Sequence, residues 1–438
     1  MLQILQNLES GDTEITNVPS PLSKKGHAII ATKRSLVSAG TERMLVDFGK
    51  ANLLQKALSQ PERVKDVLQK AKTDGISSTI EAVRSKLDQP LPLGYCNVGI
   101  VIDSQDTNFE EGSRVVSNGN HAEVVRVPKN LIAKIPDEVD DDTAVFTVMG
   151  SIAMQGIRLL KPTIGETIVV TGLGLLGLLS VQILIANGCR VIGIDFDSNK
   201  CNLAKEFGAD IVDLSRNEDP VVQANAFSRG RGVDGVLITA SSSSNNIISE
   251  AATMCRKRGR IILVGVIGLN LNRADFYEKE LTFQVSCSYG PGRYDSGYEE
   301  MGNDYPISFV RWTEQRNFEA VLDLMANGAI NIKPLISYNF DIHDAKEAYK
   351  KLDDPNSLGI LLNYPSYNDP EISHTSVKLN SSKKFKVGNL NIAFIGGGNY
   401  ASRILIPAFK KNKASLTTLV TSGGINSVHQ GKKNNFIV

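Results

Sequence analysis

The stretch from Thr167 to Asp197, TIVVTGLGLLGLLSVQILIANGCRVIGIDFD, constrains the chain more than any other. A β-branched run, Ile168 to Thr171, meets the glycine-rich turn Gly172-Leu173-Gly174-Leu175-Leu176-Gly177, and a helical apolar pattern follows. A second apolar run, Arg190 to Ile194, closes on Asp195. This order spells strand, tight turn, helix and strand, the unit from which parallel sheets are built. Each glycine has its own reason. Gly172 turns the chain out of the strand, Gly174 leaves the backbone bare for close approach, and Gly177 lets the helix lie against the sheet. The first-turn amides and the positive end of the helix dipole then face an anion such as a pyrophosphate. Asp195 stands where a carboxylate can bond the adenosine ribose hydroxyls and would repel a phosphate there, which favours NAD over NADP. The same glycines also occur in strand ends that hold nothing; here strand, helix and acidic terminus all sit where dinucleotide binding needs them.

The unit repeats. Helix Lys200 to Phe207, strand Ile211 to Leu214, helix Pro220 to Ser228, strand Gly235 to Thr239, helix Asn246 to Lys257 and strand Arg260 to Val266 predict a doubly wound parallel sheet, an α/β architecture. Its ligand crevice falls at the strand ends, by Gly172, Asp195, Thr239 to Ser241 and Gly265. Ahead of it, residues 1 to 45 read as β-rich, with strands Gln3 to Asn7, Thr13 to Val18 and His27 to Lys33. Apolar residues at helical spacing between Lys50 and Asp88 predict a helical insertion, after which strands return at Val98 to Ile102, Arg114 to Val116 and Ala122 to Val127. A helix Thr143 to Leu160 leads into the glycine unit. Residues 288 to 364 carry the loop SYGPGRYDSGY, the run VRWTEQRN, a helix Phe318 to Met325 and a strand Gly359 to Asn363.

The polar stretch Tyr364 to Lys386 reads as a linker. Beyond it LNIAFIGGGNYASRILIPAFKK is a second strand-turn-helix, with Gly396, Gly398 and Ala401 in the small positions. Only one β-α-β unit follows before Val438, and Leu419 to Ser422 close it without a carboxylate, so a partial second nucleotide-type fold that does not bind a cofactor is expected. The organisation is then residues 1–150 as a β domain to which 288–364 return, 151–287 as the dinucleotide domain, 365–388 as linker and 389–438 as an incomplete second unit.

A net charge of +1 gives no global pull towards nucleic acid or acidic lipid. Five dispersed cysteines, Cys96, Cys189, Cys201, Cys255 and Cys287, form no C-x-x-C pair and suit a reducing cytoplasm. No apolar run approaches the ~20 residues of a membrane span, and the first residues lack the pattern of a signal peptide.

VSAGTERML, PLGYCNVGIVID, EGSRV, HAEVVRVP, VTGLGLLGLLSVQ and GIDFDSNK follow, in order, the motifs of the medium-chain dehydrogenase/reductase superfamily, that of zinc alcohol dehydrogenases and quinone reductases. Residues 1 to 364 resemble that family. The helical insertion, SCSYGPGRYDSGYEE and VRWTEQRN resemble its bi-domain members, in which the unit precedes a Gfo/Idh/MocA-type dehydrogenase, here represented by an opening fragment. The resemblance implies a GroES-like β domain, a Rossmann domain, an NAD-dependent oxidoreductase acting on a small molecule of the carbohydrate or sugar-nucleotide class, and a homodimer through the Rossmann domains. Lys200 matches the lysine that NAD-dependent relatives place against the ribose. Quinone or enone reduction, and a non-catalytic NAD-binding module or fragment, are the rival readings.

The zinc ligands of the family are not matched. Ala39 stands where zinc-dependent members carry a cysteine, Gly94-Tyr95-Cys96 replaces Gly-His-Glu, and the third position falls at Ser151 or a neighbour. A catalytic zinc needs three N, S or carboxylate ligands, so no metal is expected. Tyr95, in place of the metal-binding histidine, and Thr41, matching the family's proton-relay hydroxyl, become the candidates for stabilising a developing oxyanion. Alternatively Tyr95 fills the volume of the metal. His121 is a further candidate with a structural alternative, and Tyr289, Arg293 and Tyr294 either read substrate hydroxyls or pack their loop.

Overall fold

The computed structural model describes residues 1–60, 63–67, 69, 76–365, 374–380 and 390–438. Parts of the helical insertion and of the expected linker therefore lie outside the described residues.

The glycine unit forms as its pattern requires. Strand β9 (Thr167–Thr171) buries Ile168, Val169 and Val170 completely, with no alternation between faces, as befits a strand covered by helices on both sides. The helix Leu175–Ala186 is apolar all round and is correspondingly enclosed, Leu178, Leu179, Val181 and Leu184 being buried. Strands β10 (Arg190–Asp195), β11 (Asp210–Asp213), β12 (Val233–Ile238), β13 (Cys255–Leu263) and β14 (Thr282–Val285) complete a six-stranded parallel sheet in the order β11-β10-β9-β12-β13-β14. From β9 the chain winds first to one side and then, from β12, to the other. The switch point lies between β9 and β12, where a crevice opens at the carboxyl ends.

The second body is antiparallel for the most part. β3 (His27–Ser38) is its spine, bordered by β5 (Asn97–Gln105), β7 (Val124–Pro128) and β16 (Gly359–Asn363); β6 (Arg114–Ser117), β8 (Ile132–Lys134) and β15 (Ile336–Asp341) extend the sheet. A small sheet of β1 (Leu2–Gln6), β2 (Thr13–Asn17) and β4 (Leu91–Pro92) lies beside it. At the far end β17 (Asn391–Ile395) and β18 (Ser415–Val420) pair in parallel across a π turn and the helix Ile406–Lys411. The helix Ile425–Asn434 that follows docks on the insertion, His429 and Lys433 reaching Asp88 at 3.0 and 2.6 Å.

Three local expectations are corrected. The first is the strand expected to stop at Lys33, which continues to Ser38: Lys33 and Arg34 reach Asp141 and Asp142, so their charges are met without ending the strand. Residues 39–45, read as β-rich, instead open the helix Ala39–Lys50. Finally, the helix expected to run from Asn246 to Lys257 ends at Met254, and Cys255 begins β13, its extended backbone pairing Val233. Arg258, in the left-handed region at φ 61°, bends that strand and bonds Lys279 O through its amide.

The helix Thr147–Leu160 joins the two bodies and is buried over most of its length. Gly150 and Gly156 sit where a Cβ would fall 2.7 Å from Val321 Cγ1 and 2.4 Å from Val264 Cγ2, so both neighbours pack close to the helix axis. Phe146, fully buried at its start, fills the space beside Gly359, where a Cβ would come within 2.6 Å of the ring. Emptying that position in Phe146→Ala is expected to cost about 3–5 kcal/mol. Urea unfolding followed by circular dichroism measures it; a loss under ~1 kcal/mol would show that the two bodies do not share this core.

Candidate active site

At the glycine turn Gly172 has φ +94°, and a Cβ there would lie 2.6 Å from Ala240 Cα. A Cβ on Gly177 would lie 1.9 Å from Gly172 O, which makes the close seat of the helix depend on that glycine. Gly174 faces open space, as a backbone that receives a ligand must. Asp195 accepts the Leu173 amide at 2.6 Å and the Asp197 amide at 2.9 Å, one on each oxygen, so its carboxylate is fixed at the rim of the turn. The Leu173 side chain is buried against Gly193, and Leu175 begins the helix. Lys200 pairs with Asp197 at 3.3 Å, at the same rim but not on Asp195. The geometry fits a dinucleotide: a bare backbone at Gly174, a helix start behind it and a fixed carboxylate beside it.

In the β domain Tyr95 and Thr41 meet. The phenol donates to Thr41 Oγ1 at 3.2 Å and lies 3.3 Å from Met149 Sδ at the start of the joining helix. Thr41 is exposed while Tyr95 is half-buried. Burial foremost, with Cys96 and Glu42 adding, pushes the phenol above its ordinary value, so Tyr95 keeps its proton throughout the neutral range.

Beneath this pair lies a network that sequence reasoning did not assemble. The Glu42 carboxylate is buried and accepts three donors: the Ser38 amide at 2.9 Å, His121 Nε2 at 3.2 Å and the Tyr349 hydroxyl. His121 Nδ1 lies 2.7 Å from Ser35 Oγ, which lies 2.8 Å from the Tyr364 hydroxyl. Ser35 Oγ thus links the His121 ring to the Tyr364 hydroxyl, while Nε2 faces Glu42. Gly94 sits on the His121 ring, where a Cβ would come within 2.6 Å, so the residue before Tyr95 is seated by the network. His121 is thus a buried positioning group. Only the acidic residue of Gly40-Thr41-Glu42 hinted at the arrangement.

The positions matched to the family's zinc ligands hold Ala39, Tyr95 and Ser151. Ala39 has no donor atom, Tyr95 is engaged with Thr41 and Met149, and Ser151 Oγ donates to Thr147 O at 2.8 Å. Cys96 is wholly buried, and burial together with the Glu42 charge drives its thiol well above its ordinary value. Among the described residues no group of three His, Cys, Asp or Glu side chains could hold a metal ion.

The aromatic loop closes over the other side. Asn118 Nδ2 donates to the Tyr289 hydroxyl at 3.3 Å, joining the loop to the β domain two residues from Asn120 and three from His121. Arg293 is committed to Glu299, and Tyr294 is largely exposed. Behind the loop Glu314 is completely buried with neither carboxyl oxygen bonded, and burial, assisted by Glu299 and opposed by Arg293, raises it to about 8. The folded state therefore holds a proton there that the unfolded chain releases near pH 4.5. Stability should fall as pH rises from about 5 to 8. Glu314→Gln should remove that part of the slope; melting temperatures across this range test it, and parallel curves for the two proteins would refute it.

The fold, a Rossmann-like parallel sheet joined to a β domain, is like that of solved dehydrogenase structures. Residues 176–302 match the zinc-binding dehydrogenase family model. The chain is 27% identical to the D-guloside 3-dehydrogenase of Escherichia coli (strain K12) over 269 residues, which cover 59% of this chain and 72% of that one. The alcohol dehydrogenase TADH from Thermus sp. ATN1 superposes with a TM-score of 0.63 at 19% identity, over 83% of this chain and all of that one (100%). A short chain alcohol dehydrogenase from Escherichia coli CFT073 complexed with the cofactor NADH gives 0.61 at 19% identity, over 83% and 99%.

Proposed function

We propose that the chain is an NAD(H)-dependent, zinc-independent oxidoreductase that interconverts a secondary alcohol and a ketone on a carbohydrate or sugar-nucleotide. The observation that carries the reading is the Asp195 carboxylate, fixed by two amides at the rim of the Gly172–Gly177 turn. An acceptor held there favours ribose hydroxyls and repels a 2′-phosphate. The dehydrogenase relatives and the NADH-bound neighbour support the chemistry, and the glycoside oxidised by the Escherichia coli relative supports the sugar class.

Bound NAD(H) would supply the hydride acceptor or donor. The chain's own part is to hold the substrate oxygen. With substrate bound, the Tyr95 hydroxyl turns its proton from Thr41 Oγ1 to that oxygen, accepting from the Thr41 hydroxyl in return, and donates to it as negative charge grows, in the place where a metal would otherwise act. The Glu42–His121 network below fixes the backbone from which Tyr95 and Thr41 project, so the donors need no reorganisation as charge develops.

We read the β17–β18 unit as the opening of a second Rossmann fold of the Gfo/Idh/MocA type, supported by its parallel pairing and by Gly396 at φ +101°. Two chains are expected to pair through β14, the outer strand of the six-stranded sheet, where Val285 is 53% exposed. Light scattering of Gln284→Pro should then give a monomer, whereas an unchanged mass places the contact elsewhere.

For the cofactor, Asp195→Ala should weaken NADH binding at least about tenfold and erase its preference over NADPH, the loss of a charge-assisted pair. NADH fluorescence titration measures this, and unchanged affinity and preference would remove the assignment. In a screen of sugars, polyols and quinones, Tyr95→Phe should lower kcat with little change in KM. Full turnover by that variant would reduce Tyr95 to packing.

A further inference from the structure

Between the β domain and the β17–β18 unit lies a cavity of about 530 Å³, a size typical of small-molecule sites, which run to about 300–1,000 Å³. On one side it is walled by β1, the segment Pro19 to Leu22, the turn Asn118-Gly119-Asn120 and β7. The other wall is the end of β18 and the start of the helix Ile425–Asn434, with Thr375 to Val377 beside them. The buried Leu5, Val18 and Val428 join the two walls, and Gly424 packs on Pro19, whose Cδ a Cβ there would meet at 3.3 Å. Tyr95, Thr41 and Met149 do not line the cavity, nor do the turns Gly172–Gly177 and Gly396–Gly398. It is therefore neither the catalytic pocket nor a dinucleotide turn.

A strand's side chains alternate between its faces, and this aims one of the polar groups. In β1 Ile4 enters the core cluster of Val37 and Leu93, whereas Met1 and Leu5 belong with Val428 and Ile425. Gln3, between Met1 and Leu5, turns the same way and lines the cavity. It is only 7% exposed, and its carboxamide has no hydrogen-bond partner among the described residues. A buried carboxamide carries two donors and an acceptor that folding ordinarily pairs. Asn118 and Asn120 give Nδ2 to the Tyr289 hydroxyl and to Gly94 O, at 3.3 and 3.1 Å, which leaves each Oδ1 able to accept. Across from them the helix Ile425–Asn434 starts without a side-chain cap, and the amide of the buried Ser427 in its first turn meets no acceptor among the described residues. The exposed Arg126 is the one charged side chain lining the cavity among the described residues, and it spends Nη1 on Leu22 O at 2.9 Å.

Donors and acceptors thus face one space together, and this selects the ligand. An anion only accepts, and the amide oxygens of Asn118 and Asn120 would oppose it. A hydroxyl group donates to such an oxygen and accepts from a carboxamide or a helix amide at the same time. The apolar parts of the wall, Val124, Leu131 and Val428 among them, suit the C–H faces of a ring or chain that carries several hydroxyls. We infer that the cavity is a binding site for a neutral sugar or polyol, held through the Gln3 carboxamide, the Asn118–Asn120 turn and the start of the helix Ile425–Asn434. The site does not depend on the oxidoreductase reading, since binding there calls for neither cofactor nor turnover. Through Asn120 its occupant abuts the carbonyl of Gly94, the residue before Tyr95.

Calorimetry and saturation-transfer NMR on the full chain, without NAD(H), should show saturable binding of glucose, sorbitol or maltose. Gln3→Leu, of similar size but without the carboxamide, should weaken it about tenfold. Ser422→Trp, at an exposed position on the wall, should block it, and Tyr95→Phe should leave it unchanged. Circular dichroism identical to that of the parent shows that the variants are folded. Saturation by glucose or sorbitol alone sets the site at a single ring or chain, and saturation by maltose sets it at two rings; either supports the site. Absence of saturable binding with all three probes to tens of millimolar overturns it. So does binding that Gln3→Leu or Ser422→Trp leaves intact, or that Tyr95→Phe abolishes, since the sugar then sits in the catalytic pocket.

Discussion

The buried carboxylate of Glu42 is the interaction on which the catalytic side of this molecule rests. A carboxylate removed from water is tolerated only where its lone pairs are met, and here a backbone amide, an imidazole and a phenol meet them. Those three donors come from the end of β3, from the loop ahead of β7 and from the helix Ala345–Lys350. Satisfying one buried group thus fixes how three parts of the β domain sit together. Tyr95 and Thr41, on the segments this arrangement holds, inherit a defined spacing.

The division of labour between the two bodies follows. The parallel sheet positions a dinucleotide with backbone and one carboxylate, using features that any sequence with the right glycines can make. In the proposed reading the β domain positions a substrate oxygen with side chains. Here the chain surrounds the acidic group with donors, and the Tyr95 phenol meets Thr41 and Met149 beside it.

Legibility in the sequence divided along the same line. The glycine turn and Asp195 were readable because their contacts are local: Gly172, Gly177 and Asp195 lie within one β-α-β unit, and each has a steric or electrostatic reason visible in the residue type. The alternation of strands and helices was readable for the same reason, apart from limits set by tertiary pairing. The extension of β3 past Lys33 depended on Asp141 and Asp142, more than a hundred residues away. The early end of the helix at Met254 depended on a pairing with Val233 and a left-handed Arg258. The Glu42 network was not readable at all, since His121, Tyr349 and Tyr364 carry no spacing that announces their meeting. Glu314 and Gln3 escaped for the same reason: burial and the lack of a partner are properties of the folded surroundings.

The central place of β3 has a consequence for how the molecule is made. Its neighbours β5 and β7 flank its first half on both edges and follow within about a hundred residues, but β16, which pairs Arg34–Ser38 further along the edge that β7 covers, is encoded after the whole parallel sheet. During synthesis the dinucleotide body, with its local β-α-β contacts, can form as soon as it is released. The β domain must wait with the Arg34–Ser38 half of one edge of its spine unpaired, and with Glu42 still short of Tyr349, until the stretch through Tyr364 has emerged. The floor of the active site is therefore among the last parts of this region to be closed, and an open strand edge is the state a nascent chain has to protect.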